Sequence, residues 1–327
     1  SPMLPTPLNL IRYLIELRIN RGLAWLSNAP EKELSWRWGM AMAEQMAITQ
    51  ARQWKKALAP GWKEETASPA WPVEAVLLLH TSKRTLGLDE RFFLELKLLG
   101  DGADHGFFME TMLPALEILG SEPTAGGGKA NQPNSLYGHF EIRSVRSAKG
   151  HGWKPLIRDG RLDLRFKVHG AQWEKGFRMA EYRPEPVHQL VWRTPFDFPD
   201  PPSPASLKPA AKRKVKRQPP GLPEFLEGTA DRLGRIYHGS YAGSREFVDR
   251  MDAECAAKWH EAMEMAAKPR IKRYRLKKTS GATGPALIGF QTFTPAIPPE
   301  LFPFLTLGHL IHLGRGTLYG QGLFGLA

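Results

Sequence analysis

The chain has 327 residues, 42% of them hydrophobic, with 45 Lys and Arg against 33 Asp and Glu and a formal net charge of +12. That length and apolar content suit two globular domains, and the charge favours a polyanionic partner, nucleic acid first. One cysteine, Cys255, excludes an internal disulfide framework and fits a reducing cytoplasm, while no apolar run reaches the roughly 18 residues of a membrane span, so no membrane partner is expected.

Residues 8–20 alternate, with Ile11, Tyr13, Ile15, Leu17 and Ile19 on one face and Arg12, Glu16 and Arg18 on the other, which predicts a strand. Arg21-Gly22 and Asn28 to Pro30 supply loop signals. From Ser35 to Leu58 the period is helical, with Arg52, Lys55 and Lys56 towards the end that favours cations. A loop over 59–72 precedes strands at 73–80 and 91–99, a helix over 106–119, a glycine- and asparagine-rich loop and a strand at 137–146. Strand, helix, strand, strand, helix, strand is the ferredoxin-like order. Residues 151–186 read as a connecting region with a hairpin at Asp159-Gly160.

A second unit of the same kind opens with a strand from Val187 to Pro195. A Pro- and Lys-rich loop over 199–221 carries Lys212, Arg213 and Lys214. A helix follows over 222–238. Another, over 244–268 with Arg245 and Arg250, reads as an insertion that projects like a finger. Arg270 to Lys278 is a very basic strand, and 285–293 is its partner. Pro298 and Pro299 open a closing helix. Glycines at 314, 316, 320, 322 and 325 then forbid helix, and the alternation Leu318, Gly320, Gly322, Phe324 suits a short final strand. The predicted fold is α+β, two tandem ferredoxin-like (RRM-like) domains at 1–150 and 187–327 with a helical insertion in the second.

Arg270, Lys272, Arg273 and Arg275 put charge on both faces of their strand, so at least one face meets solvent or an anion. The loop over 314–325, with Arg315 inside it, either offers backbone N–H groups to a phosphate or uses glycine only for a tight turn. Gly126-Gly127-Gly128-Lys129 lacks the ending of a nucleotide-binding loop. His309 and His312 are too few for a metal site. Trp36 and Trp38, beside Arg37, serve either as core or as stacking platforms.

The last segment reads Leu307-Gly308, His312, Gly314-Arg315-Gly316-Thr317, Tyr319-Gly320-Gln321-Gly322. It resembles the C-terminal glycine-rich loop of the RAMP superfamily of CRISPR-associated proteins, more narrowly the endoribonucleases that cut precursor CRISPR RNA within its repeats. Trp71-Pro72-Val73, Gly138 to Ile142, and Val191 to Pro195 followed by Pro223 to Phe225 fall in the family's order. The resemblance implies cleavage without metal or cofactor: a 2′-hydroxyl attacks the adjacent phosphate and leaves a 2′,3′-cyclic phosphate. It implies a repeat RNA hairpin, kept as the mature guide RNA, and other CRISPR effector subunits as partners, a cytoplasmic location and a divergent branch such as type IV. Many members carry an early histidine; here the first is His80. Arg21 and Arg37 are therefore expected as electrostatic catalysts, with His312 in reserve. Arg18, Lys212, Arg213, Lys214, Arg245, Arg250, Arg270, Lys272, Arg273, Arg275, Gly314, Arg315 and Gly316 are the expected RNA contacts. The alternative is a guide-RNA-binding subunit without activity.

Overall fold

The structure, a computed structural model, describes residues 7–130, 132–174, 185–198, 218–239 and 242–327. They form two compact units, one within 8–177 and the other within 178–327 together with Pro7.

In the first unit the alternation of β1 (Leu10–Ile19) sorts apolar from charged side chains across a sheet. A short β2 (Ala24–Trp25) precedes α1 (Pro30–Ala43), which opens on a proline, and α2 (Ile48–Leu58). The single helix expected over 35–58 is thus two. Residues 44–47 carry no helix breaker; the break follows packing, because Leu58 folds back to within 3.0 Å of where a Cβ on Gly39 would sit. Then come β3 (Glu74–His80), β4 (Thr85–Leu86), β5 (Arg91–Leu99) and α3 (His105–Phe107), continuous through a π turn (Phe108–Met112) with α4 (Leu113–Ser121). β6 (Phe140–Lys149), β7 (Gly152–Arg158) and β8 (Arg161–Leu162) complete the unit. The sheet order is β3-β5-β1-β6-β7-β8, with antiparallel neighbours. Its first four strands have the ferredoxin-like order, and the hairpin turning at Asp159-Gly160 extends that sheet rather than linking two domains. Register sets Tyr13 against Leu96 and Ile15 against Leu94 on the face that the helices cover, and all four are buried. A buried side chain of this size is worth about 1.5–3 kcal/mol.

The second unit runs β9 (Gln189–Trp192), α5 (Leu222–His238), α6 (Ser244–Asp249), α7 (Ala253–Ala266), β10 (Arg270–Gly281), β11 (Gly284–Thr294), α8 (Phe302–Ile311) and β12 (Phe324–Leu326). The order β10-β11-β9-β12 repeats the pattern of the first unit. Its core is aromatic: Trp192 stacks on Phe196 at 3.9 Å and on Phe225 at 5.3 Å, with Phe324 edge-on. The insertion is two helices split at Asp252, whose carboxylate accepts from Cys255 N–H at 2.8 Å. It does not project. Phe247 is buried beside Tyr237, and Trp259 meets Phe304 edge-on. The final strand is only three residues long, because Gly314, Gly316, Gly320 and Gly322 all adopt left-handed backbone and Thr317–Tyr319 is a 3-10 turn.

Candidate nucleic-acid interface

β10 is an edge strand, and its six cations would repel one another unless solvent or an anion lay against them. The ladder pairs Arg270 with Thr294, Ile271 with Phe293, then Arg273 with Thr292, because Lys272 forms a bulge. The extra residue resets the alternation. Arg270, Arg273, Arg275 and Lys277 therefore share one face with Phe290 and Ile288, while Ile271, Tyr274 and Leu276 share the other. Without the bulge Arg270 would face away from Arg273. The cations are exposed, and the Arg273 guanidinium lies 5.8 Å from the Phe290 ring centroid. Tyr274, on the free edge, is 52% exposed, so a large aromatic surface faces water. Cations interleaved with aromatic and apolar surface suit a phosphate backbone with stacked bases.

The turn of this hairpin is tied to the glycine-rich loop by Gln321. Its Oε1 accepts from Ala282 N–H at 2.8 Å, and its Nε2 donates to Thr283 Oγ1 at 3.2 Å and to the Arg315 carbonyl at 3.0 Å. Hairpin tip and loop thus form one surface. Sequence reasoning missed Gln321 because a lone amide among glycines carries no spacing signal. The loop spends most of its N–H groups on itself: those of Tyr319, Gly320 and Gln321 donate within it, Arg315 to Asp197, and Gly322 to Pro195. A Cβ on Gly322 would lie 1.8 Å from the Leu313 carbonyl oxygen. The glycines thus serve close approach first, and among the described residues of the loop up to Gly322 the N–H groups of Gly314, Gly316, Thr317 and Leu318 lie outside those bonds.

His312 is fully buried, and its Nδ1–H donates to the carbonyls of Gly320 and Gln321 at 3.2 and 3.0 Å. It braces the loop and is not placed to take a proton from a bound RNA. Arg37 is corrected likewise. It is 2% exposed, donates to the carbonyls of Pro123 and Ala125 at 2.8 and 2.9 Å, and lies 3.9 Å above the Tyr137 ring. Burial lowers its pKa. Of the three expected catalytic groups, only Arg21 is exposed, and it makes no ion pair or hydrogen bond among the described residues.

Arg18 pairs with Glu141 at 2.6 Å and Asp89 at 3.2 Å, which leaves it half-committed. Arg245 and Arg250 are exposed on the insertion, where Arg250 donates to His238 Nδ1. Lys212, Arg213 and Lys214 lie outside the described residues. The structure therefore puts Arg270, Arg273 and Arg275 on one face of β10, ties Arg315 and Gly316 to the tip of the hairpin, and leaves Arg37 and His312 inside.

Two histidines in the first unit gave no signal in the sequence. The β1–β6 ladder carries Asn20 to His139, whose carbonyl accepts from Asn20 N–H at 2.9 Å. The His139 Nδ1 lies 3.1 Å from the Tyr137 carbonyl, so Nδ1 donates and Nε2 keeps its lone pair. A histidine thus stands beside the Arg21 loop, 118 positions later in the chain than Arg21. His105 shares a hydrogen bond of 2.9 Å with Tyr13, and burial lowers its pKa. Among the described residues no group of three or more His, Cys, Asp or Glu could hold a metal ion, and no helix is long and apolar enough to cross a membrane.

No protein-family model matches the chain, and no curated protein does. Among solved structures, a chain of a partial Cas6-RT-Cas1–Cas2 complex aligns with a TM-score of 0.54 at 13% identity, over 99% of this chain and 47% of that one. A chain of the Cas6-RT-Cas1–Cas2 complex gives the same score and identity over 99% and 29%. The present chain spans less than half the length of either. The likeness is one of fold, to chains of these Cas6-containing complexes.

Proposed function

We propose that the chain is a metal-independent endoribonuclease that cleaves CRISPR precursor RNA in its repeats and stays on the repeat hairpin. The observation that carries this reading is the cationic face of β10, set in register by a bulge and joined through Gln321 to the glycine-rich loop. That surface would hold the phosphates of a folded RNA. In the first unit a 2′-hydroxyl would give its proton to His139 Nε2 and attack the adjacent phosphorus in line. The bond to the 5′-oxygen breaks, giving a 2′,3′-cyclic phosphate and a 5′-hydroxyl. Arg21 would hold the non-bridging oxygens as their charge grows. The Cas6 chains of like fold belong to assemblies with RT, Cas1 and Cas2, which supports other CRISPR proteins as partners.

A second reading, a guide-RNA-binding subunit without activity, is favoured by the burial of Arg37 and His312. Incubation with labelled repeat RNA in EDTA decides between them, beside the same RNA with one 2′-deoxy sugar at the cut site. Cleavage of the first alone, lost in Arg21→Ala and His139→Ala, is the expected result. Tight binding with no cleavage would leave the second reading.

A further inference from the structure

The first unit holds a cleft of about 280 Å³, just below the roughly 300–1,000 Å³ of drug-sized ligand sites. That volume suits one flat ring system. The cleft lies among three segments far apart in the chain, so no spacing announced it. Trp25 and Trp62 bring indoles to it, Glu33 a carboxylate, Ser27 a hydroxyl, and Asn134 and Tyr137 come from the loop before β6. The walls are preformed. Trp25 N–H donates to the Asn134 carbonyl at 2.7 Å, with Asn134 itself in left-handed backbone at φ 59°. Tyr137 is clamped under the Arg37 guanidinium. The buried arginine thus acts at this cleft as a positioning residue.

Three features point to one occupant. Trp25 is 57% exposed on a two-residue strand, an indole face with no ring against it among the described residues. Ser27 Oγ is shielded from water and sits beside the Glu33 carboxylate. Glu33, 8% exposed, brings a shielded carboxylate to the cleft wall. Trp25 follows Arg21 by four residues and Tyr137 precedes His139 by two, so a base held here would have its phosphate near both. We infer that this cleft takes one unpaired RNA base, stacked on Trp25 and read at its N–H edge by Glu33. Guanine fits best, since its N1–H and N2–H can meet one carboxylate together. The inference rests on the RNA-binding reading above and adds a subsite to it.

The test is fluorescence anisotropy with a short labelled oligouridine carrying one guanosine, against the same oligomer with an abasic ribose at that position. Stacking by one base corresponds to a preference of about 5- to 150-fold for the guanosine oligomer. Trp25→Ala is expected to remove that preference and bind both oligomers as the wild type binds the abasic one. Trp25→Phe keeps most of it, and Glu33→Gln narrows the preference for guanosine over inosine. Arg273→Ala with Arg275→Ala weakens both oligomers equally and leaves the ratio alone. Equal binding of both oligomers by the wild type, or a preference that survives in Trp25→Ala, overturns the cleft proposal and spares RNA binding. If the wild type binds neither, RNA binding itself falls and the cleft proposal falls with it.

Discussion

At His312 the backbone has φ 64° and ψ 154°, a region that is essentially glycine's alone and costs about 1–3 kcal/mol for other residues. The position follows the last turn of α8, where glycine is the usual choice. A histidine is held there because its buried Nδ1–H satisfies two loop carbonyls. His312→Ala keeps the strain and loses the hydrogen bonds, so unfolding free energy should fall by about 2–4 kcal/mol. His312→Gly loses the same bonds but relieves the backbone, and should be the more stable of the two by about 1 kcal/mol. Urea unfolding of both variants measures the order; alanine ahead of glycine would mean that the backbone is not strained. Arg37 poses the same kind of question. Arg37→Lys keeps the charge but not the planar fork that reaches two carbonyls and covers Tyr137. It should destabilise by about 2–3 kcal/mol, and any loss of cleavage should track the folded fraction rather than the chemistry.

Among the elements, β10 carries the most information per residue. One bulge decides which cations act together. If Arg273, Arg275 and Lys277 each meet a phosphate, alanine at any one should lower the slope of log affinity against log salt by about one and weaken binding to all RNA sequences alike. Titrations at several salt concentrations read that slope, and an unchanged slope would remove the residue from the interface. β10 itself was legible, because nothing but a solvated or anion-facing strand tolerates that composition. The bounds of α5 were legible too, since Gly221, Pro223 and Gly239 mark both ends. The split between α1 and α2 was not, because residues 44–47 favour helix and only the docking of Leu58 against Gly39 breaks it. The glycine-rich loop was legible as a loop but not in its purpose. Glycine spacing is the same whether N–H groups face a ligand or their own chain.

For the whole molecule, the sheet order of each unit follows from element order, which local patterns carry. The sites are harder, because Trp25, Glu33, Trp62 and Tyr137 converge only after folding, as do Arg21 and His139. Stability against acid is a property of this scale as well. Acidification neutralises carboxylates on a chain already at +12, and self-repulsion grows. Three glutamates of the first unit shape the curve, Glu33 and Glu95 buried and Glu31 half-buried. Burial raises the pKa of Glu31 and of Glu33 above the ordinary 4.5. Each is less costly to bury once protonated, so the fold gains stability as pH falls through their raised values towards 4.5. Glu95 behaves the other way. Burial pushes its pKa up, but Lys97, His80 and Arg12, the last at 2.7 Å, outweigh that and hold it well below 4.5. Its contribution is complete above pH 4.5 and is lost as pH falls below that towards its folded value. Stability should therefore peak on the acid side of neutrality and drop steeply below about pH 4.5. Glu95→Gln, which leaves Lys97 and Arg12 without their carboxylate, should cost about 2–4 kcal/mol at neutral pH. The gap from wild type should narrow steadily as pH falls below 4.5, where Glu95 of the unfolded chain takes up its proton while the folded carboxylate still resists it. Urea unfolding of the two proteins from neutral pH down to about pH 2 tests this; a gap that stays constant would show that Glu95 acts through packing and not through its charge.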